Sequence, residues 1–331
     1  MQVSQNSKFR WIIVSLSLSI ILMAIKFTAY YLTRSNAILS DALESIINVI
    51  ASSFAFYSIY LSSQPKDKDH PYGHGKIEYF SSGFEGALII IAGVWIAIEA
   101  IQHLLHPQPI QHLDWGLWLI LLTVVLNGVV GYYLQKVGKR TRSEALIADG
   151  KHLMTDSLSS VLILIGLGLL ILTGLQWIDS AASLVLSLVI FYNGFMLIRG
   201  SAAALMDQTD PELMESIVNI LKNHKRNYWI DVHNMRIQKY GSDLHIDCHL
   251  TLQYYWDLRQ VHVAVHEFVE AVEKDAGGYV EFFIHVDPCL PECCKYCRLA
   301  DCPVRAKAFK RDIDWSIHNL SKNQKQVVEP D

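Results

Sequence analysis

The chain has 331 residues, 51% of them hydrophobic and 18% charged, with a net charge of −4 at pH 7. A mean hydropathy of +0.23 is too apolar for an ordinary water-soluble domain, and charge is scarce before about residue 200 and dense after it, which reads as a membrane half followed by a soluble half. With a pI of about 6.4 there is no global basic excess, which excludes nucleic acid as the expected partner.

Lys8 and Arg10 precede an apolar run that begins at Trp11. No small-residue cleavage site follows a short apolar core, so an uncleaved first span is expected rather than a signal peptide. Six apolar segments, at roughly 11–32, 37–62, 81–104, 114–134, 144–173 and 177–198, are long enough to cross a bilayer. Lys8, Arg10, Lys66, Lys68, Lys76, Lys136, Lys139, Arg140, Arg142 and Arg199 fall on one side of these spans, and Arg34 alone on the other. The positive-inside rule then places both termini in the cytoplasm of a bacterial inner membrane. The division expected is a six-span domain over 1–205, a cytoplasmic domain over 206–290, and a Cys-rich segment with a polar tail over 291–331.

The second and fifth segments carry nearly the same polar pattern. Asp41, Glu44 and Asn48 in one, and Asp149, His152 and Asp156 in the other, recur at i, i+3 and i+7, one stripe of an α-helix. Ionisable groups in lipid cost kilocalories and are rarely placed there without a partner or an ion. Glu44 with Asn48 and His152 with Asp156 are i, i+4 pairs, so two helices can offer four ligands to one cation. A histidine with carboxylates suits Zn²⁺ or another first-row dication (Fe²⁺, Mn²⁺, Co²⁺, Cd²⁺ as a heavier analogue) better than Mg²⁺ or Ca²⁺. Such ligands release protons as metal binds, which makes metal/proton exchange chemically natural. The bland reading is that these groups hydrogen-bond between packed helices. Asp41 and Asp149, one turn from the ligands, line the path, or one of them substitutes for Asn48. Between the second and third segments, Asp67, His70 and His74 form a three-ligand surface set, or a solvated loop whose histidines titrate near neutral pH.

In the charged half, Asp210-Pro211-Glu212 is a helix start, with helix to about His224 and a strand over Tyr228–Lys239. Leu244, Ile246, Cys248 and Leu250 then alternate with His245, Asp247 and His249, a half-buried strand with a wet face. A second helix from about Asp257 and a third strand at Tyr279–Val286 complete an α-β-β-α-β order, that of a small α+β ferredoxin-like sandwich. Cys289, Cys293, Cys294, Cys297 and Cys302 follow. In a reducing compartment they read as a structural zinc or soft-metal site or as free thiols; the spacing is not a usual one for an iron–sulfur cluster. The remaining tail to Asp331 is polar and is expected to be partly disordered.

Four stretches together carry a family resemblance: Ser40-Asp41-Ala42-Leu43-Glu44-Ser45-Ile46-Ile47-Asn48, His70-Pro71-Tyr72-Gly73-His74-Gly75-Lys76, Ala148-Asp149-Gly150-Lys151-His152-Leu153-Met154-Thr155-Asp156 and His285-Val286-Asp287-Pro288. Over roughly residues 10–290 the chain resembles the cation diffusion facilitators, divalent-metal efflux carriers with six spans, a cytoplasmic ferredoxin-like domain and a homodimeric assembly. The resemblance implies that His152 and Asp156 are transport-site ligands. It also implies that Glu44 and Asn48 stand where the family usually has Asp or His and then Asp. The amide at Asn48 is a departure that puts the metal preference in doubt. It further implies a second, weaker metal at Asp67, His70 and His74. A cytoplasmic cluster of His233, His249, His262, His285 and Asp287 is implied as well, and a charge pair of Lys76 with Asp207 between the membrane and cytoplasmic parts.

The function expected is export of a divalent cation, Zn²⁺ first, by metal/proton antiport across the bilayer. The alternative is a membrane-anchored metal sensor or scaffold acting through the cytoplasmic cluster. A membrane metalloenzyme is disfavoured, since His266-Glu267-Phe268-Val269-Glu270 fails the H-E-x-x-H pattern. There is no phosphate-binding G-x-x-x-x-G-K-[ST] loop for ATP.

Overall fold

A computed structural model describes residues 2–33, 36–105, 113–173, 177–276 and 279–326. The chain divides into two compact units, Met1–Met206 and Asp207–Asp331. The first unit is helical: α1 (Gln2–Thr33), α2 (Asn36–Ser62), α3 (Ile77–Leu105), α4 (Leu113–Thr141), α5 (Glu144–Thr173) and α6 (Trp177–Leu205). One helix stands over each expected segment, and α3 and α6 run several residues beyond the apolar stretches that announce them. Four helices contain described stretches long and apolar enough to span a membrane, at Asn6–Thr28, Ser45–Ser62, Ile77–Gln102 and Ser183–Leu205. Large apolar side chains such as Trp95 and Leu188 point outward from this unit, 68% and 70% exposed, as lipid-facing helices require.

Glycines set the closest helix pairs. A Cβ on Gly86 of α3 would lie 2.9 Å from the Gly194 carbonyl of α6, and one on Gly131 of α4 would lie 2.9 Å from the Gly150 carbonyl of α5. This is the backbone approach that small residues permit where lipid offers no hydrophobic drive. One carboxylate ties several chain segments together. Glu78 on α3 accepts from Lys8 Nζ of α1 (3.4 Å), Ser62 Oγ of α2 (2.8 Å) and Ser143 Oγ in the α4–α5 turn (2.5 Å). A buried charge is tolerated there because all its partners are supplied by the bundle.

The second unit runs α7 (Pro211–His224), β1 (Asp231–Tyr240), β2 (Asp243–Leu252), α8 (Leu258–Asp275) and β3 (Val280–Pro288), the α-β-β-α-β order of a ferredoxin-like fold. Asp210 caps α7 by accepting from the Leu213 N–H, with Pro211 at the first turn; Asp257 and Gln260 form a capping box on α8. Strand order is β1-β2-β3, with β1 and β2 antiparallel and β2 and β3 parallel across α8. Met214, Leu221, Trp229, Ile246, Leu250 and Phe268 are central to the core. His245, expected on the wet face of β2, is instead buried under the Tyr240 ring, with Nδ1 3.4 Å from Glu281.

The polar tail departs from the disorder expected of it as far as Gln326. Ile313, Trp315 and Leu320 are buried in the same core, a short helix α9 (Ile317–Ser321) forms, and the Lys322 carbonyl accepts from the Asn234 N–H at 2.7 Å. Apolar side chains spaced through a charged stretch anchor it, which average composition hides.

Candidate metal sites

α2 and α5 bring three of the four expected transport ligands together. His152 and Asp156 share one face of α5, and Asn48 on α2 bridges them. Its Nδ2 donates to Asp156 Oδ2 at 2.8 Å, and its Oδ1 lies 3.0 Å from His152 Nε2, which in turn is 3.8 Å from Asp156 Oδ2. With the amide so oriented, His152 Nε2 carries the donated proton. His152 is only 3% exposed. Two oxygens and one imidazole nitrogen thus already face one another, and a dication entering between them would replace these hydrogen bonds by metal–ligand bonds. The side chains of Glu44 and Asp41 lie outside the described residues.

A second layer of carboxylates adjoins this trio. Asp149 is fully buried; Oδ1 accepts from Ser52 Oγ at 3.0 Å, Ser52 Oγ is 3.3 Å from Ser19 Oγ, and the Ser15 hydroxyl also faces the carboxyl. Glu85 on α3 is 1% exposed, neither of its oxygens is hydrogen-bonded among the described residues, and it interacts electrostatically with Asp149 and Asp156. Glu85 was not among the sequence candidates. The signal existed, an acid in the middle of an apolar span, but it has no matching acid one turn away to make a stripe.

The loop set is assembled. Asp67 Oδ1 is 3.1 Å from His70 Nδ1 and Asp67 Oδ2 is 3.3 Å from His74 Nε2, with the two rings 4.4 Å apart. Asp67 Oδ1 also accepts from the His70 and Asp69 N–H groups at 2.6 and 2.9 Å. The His70 N–H above all holds this carboxyl below its ordinary range, ready as an anionic ligand. Gly73, at φ +89°, makes the turn that returns His74 to Asp67.

In the second unit, His233, His249 and His285 stand opposite one another on β1, β2 and β3. Asp287 Oδ2 lies 3.3 Å from His233 Nε2 and 3.2 Å from His249 Nδ1, while its Oδ1 is 3.7 Å from His285 Nε2. Asp231 backs His233 Nδ1 at 3.2 Å, and Lys325 from the tail reaches 3.6 Å from Asp287 Oδ1. Among the described residues, the two groups whose three ligand atoms all lie within 4.8 Å of one another are Asp67, His70, His74 and His233, His249, Asp287. His262 does not join them: it lies on the exposed face of α8, its ring stacked 6.5 Å from His266. Lys76 immediately precedes α3 in the first unit, and Asp207 opens the second unit at φ 56°. The six cysteines are unpaired.

Residues 12–206 match the family model of the cation efflux transmembrane domain, and residues 209–289 that of the cation efflux protein cytoplasmic domain. An uncharacterized transporter of Synechocystis sp. is 34% identical over 262 residues, 79% of this chain and 83% of its own. The manganese efflux system protein MneP of Bacillus subtilis is 29% identical over 287 residues, 85% of this chain and 96% of its own. The cation-efflux pump FieF of Yersinia enterocolitica is 26% identical over 275 residues, 82% and 89% of the two chains.

Proposed function

This chain belongs to the cation efflux family of integral membrane transporters, and from that premise we propose that it exports a first-row divalent cation from the cytoplasm in exchange for protons, using Glu44, Asn48, His152 and Asp156 as the transport site. The observation that carries this reading is the meeting of Asn48, His152 and Asp156 between α2 and α5. Hydrogen-bonded to each other without the ion, these groups exchange mutual bonds for metal bonds, and a proton must leave His152 Nε2 for that nitrogen to become a ligand. Glu85 and Asp149 place two further carboxyl groups beside the site, where Asn48 supplies none. Asp67, His70 and His74 form a loop site that collects the cation from the cytoplasm. His233, His249, His285 and Asp287 report its level in a domain that pairs two copies of the chain, in keeping with the ZT_dimer family model over 209–289. Both termini are cytoplasmic, as the distribution of Lys and Arg implies.

Zn²⁺ is the cargo that an imidazole with carboxylates favours. Mn²⁺ is the second reading: the Asn48 amide adds an oxygen donor of the kind Mn²⁺ accepts, and one relative is named for manganese efflux. The test is ion uptake by proteoliposomes under an imposed pH gradient, comparing Zn²⁺, Mn²⁺, Fe²⁺, Co²⁺ and Cd²⁺, with Asp156→Ala as control. Gradient-driven flux lost in the variant supports the carrier and names its ion. No flux of any ion, with metal binding kept in the second unit, would sink it in favour of a sensor.

A further inference from the structure

From Cys289 to Trp315 the chain has a single 3₁₀ turn, Pro291–Lys295, and no other regular element. Yet it is firmly folded. Arg305 donates to the carbonyls of Cys294 and Cys297 at 3.1 Å each and to that of Leu299, while the Lys310 N–H reaches the Lys295 carbonyl at 2.8 Å. Arg298 pairs with Asp312, and Lys307 Nζ lies 3.3 Å from Glu292. A stretch this long without secondary structure is uncommon in a compact domain, and irregular modules of this size usually depend on a disulfide or a metal. No disulfide is present among these cysteines.

The structure sorts the five thiols into one and four. Cys293, 1% exposed, and Cys297, 6% exposed, both reach the apolar core, but Cys293 meets Cys289 alone among the thiols, with the Leu290 N–H 3.2 Å from its sulfur. The other four gather around two of their number: Cys289 interacts electrostatically with Cys294, Cys297 and Cys302, and Cys297 with Cys294 and Cys302. The Tyr255 hydroxyl, in the β2–α8 connection, hydrogen-bonds Cys302 and faces Cys289 and Cys297. As at Cys293, backbone N–H groups face these sulfurs, from Tyr254 to Cys289, Leu299 to Cys297 and, at 3.4 Å, Ala306 to Cys294. Donors of this kind orient and neutralise metal-bound thiolates. Read without Cys293, the spacing becomes Cys-x4-Cys-x2-Cys-x4-Cys, inside the two-to-four residue intervals of structural zinc sites.

We propose that Cys289, Cys294, Cys297 and Cys302 form a four-thiolate structural site for Zn²⁺ or a similar thiophilic dication, and that Cys293 is a core residue outside it. The ion holds the irregular segment after β3 in its fold, beside Tyr255 of the β2–α8 connection. Without it, no three of the sulfurs lie within 4.8 Å of one another; a change of staggered cysteine rotamer is the movement that closes the shell. Because Cys289 follows Asp287 by two residues, the clip also fixes the end of the strand that carries the histidine cluster.

The test is Co²⁺ loading of the full-length protein, purified under reducing conditions and stripped with a chelator, in an Asp287→Ala background that removes the histidine cluster. Tetrahedral thiolate ligation gives Co²⁺ an intense near-ultraviolet charge-transfer band that histidine and carboxylate sites lack. One Co²⁺ per chain with that band is expected, displaced by Zn²⁺, retained in Cys293→Ala and lost in Cys294→Ser and Cys302→Ser. Cys294→His, which keeps four donors, should retain the ion with a weakened band, and so separates ligand loss from misfolding. No thiolate band in the parent protein, or a band lost in Cys293→Ala and kept in Cys294→Ser, overturns the assignment.

Discussion

The membrane bundle and the cytoplasmic-type sheet solve one problem, holding a histidine and a carboxylate against each other, in opposite ways. In the bundle, His152 and Asp156 are one helical turn apart and Asn48 comes across from the next helix. In the sheet, His233, His249 and His285 are level residues of different strands, and Asp287 sits two residues beyond the last of them. Helical periodicity writes the first arrangement into consecutive residues; strand register writes the second into none. The two also wait for metal differently. In the bundle, Asn48, His152 and Asp156 hydrogen-bond or face one another, while Asp287 is met by a foreign cation, Lys325 of the tail.

Several measurements bear on this contrast. The largest effect is expected from Asp156→Ala, which should lower metal flux about 100-fold or more, since even supporting partners of metal ligands are worth 10–100-fold. Asp287→Ala should leave flux measurable while removing metal from the sheet cluster in equilibrium binding. Equal losses of flux from both would end the distinction between a transport site and a reporting site. Glu85→Gln comes next. A buried carboxyl with no hydrogen-bond partner among the described residues destabilises its surroundings by roughly 1–3 kcal/mol, so the amide should raise the thermal midpoint while slowing flux. A faster or unchanged transporter would make Glu85 a packing residue.

Asp210→Asn probes the scaffold of the sheet unit. Burial alone would raise this carboxyl, but the Lys239 ammonium at 2.8 Å and the Leu213 N–H outweigh it, and its pKa ends below the ordinary 3.8. A folded pKa below the unfolded one gives stability that is complete above about pH 4 and is lost as pH falls through the folded value. The variant keeps the cap and loses the charge, so it should cost about 0.5–1 kcal/mol at neutral pH and converge on the parent in acid, read by denaturant unfolding from pH 7 to pH 3. The smallest effect is expected from Lys325→Ala, which should tighten metal binding at the sheet cluster by about two- to fivefold, the size of a long ion pair near the surface. Weaker binding would make Lys325 a support of the site rather than a competitor.

What could be read before folding follows the same divide. The i, i+4 pair on α5, the Asp67–His74 loop and both helix caps are local, so residue spacing exposes them. His262 entered through the family resemblance rather than the helical pattern, and within one chain it lies on the exposed face of α8, apart from the strand residues. The buried tail was missed through averaging: Ile313, Trp315 and Leu320 are too sparse to lift the hydropathy of a charged stretch, yet each inserts into the core. Glu85 was missed for another reason, since one acid in an apolar run is a single letter, and only the fold brings it near Asp149 and Asp156.

Glu78 has a mechanical meaning as well as an electrostatic one. By gathering Lys8, Ser62 and Ser143 onto one carboxylate, it fastens three helices and the α4–α5 hairpin at a common end, like poles lashed near one tip. Poles so joined cannot spread at the lashing and must swing about it, so rearrangement of the bundle is directed to the opposite ends. Amide exchange around Lys8, Ser62 and Ser143 would then open as a single event, with one rate and one free energy.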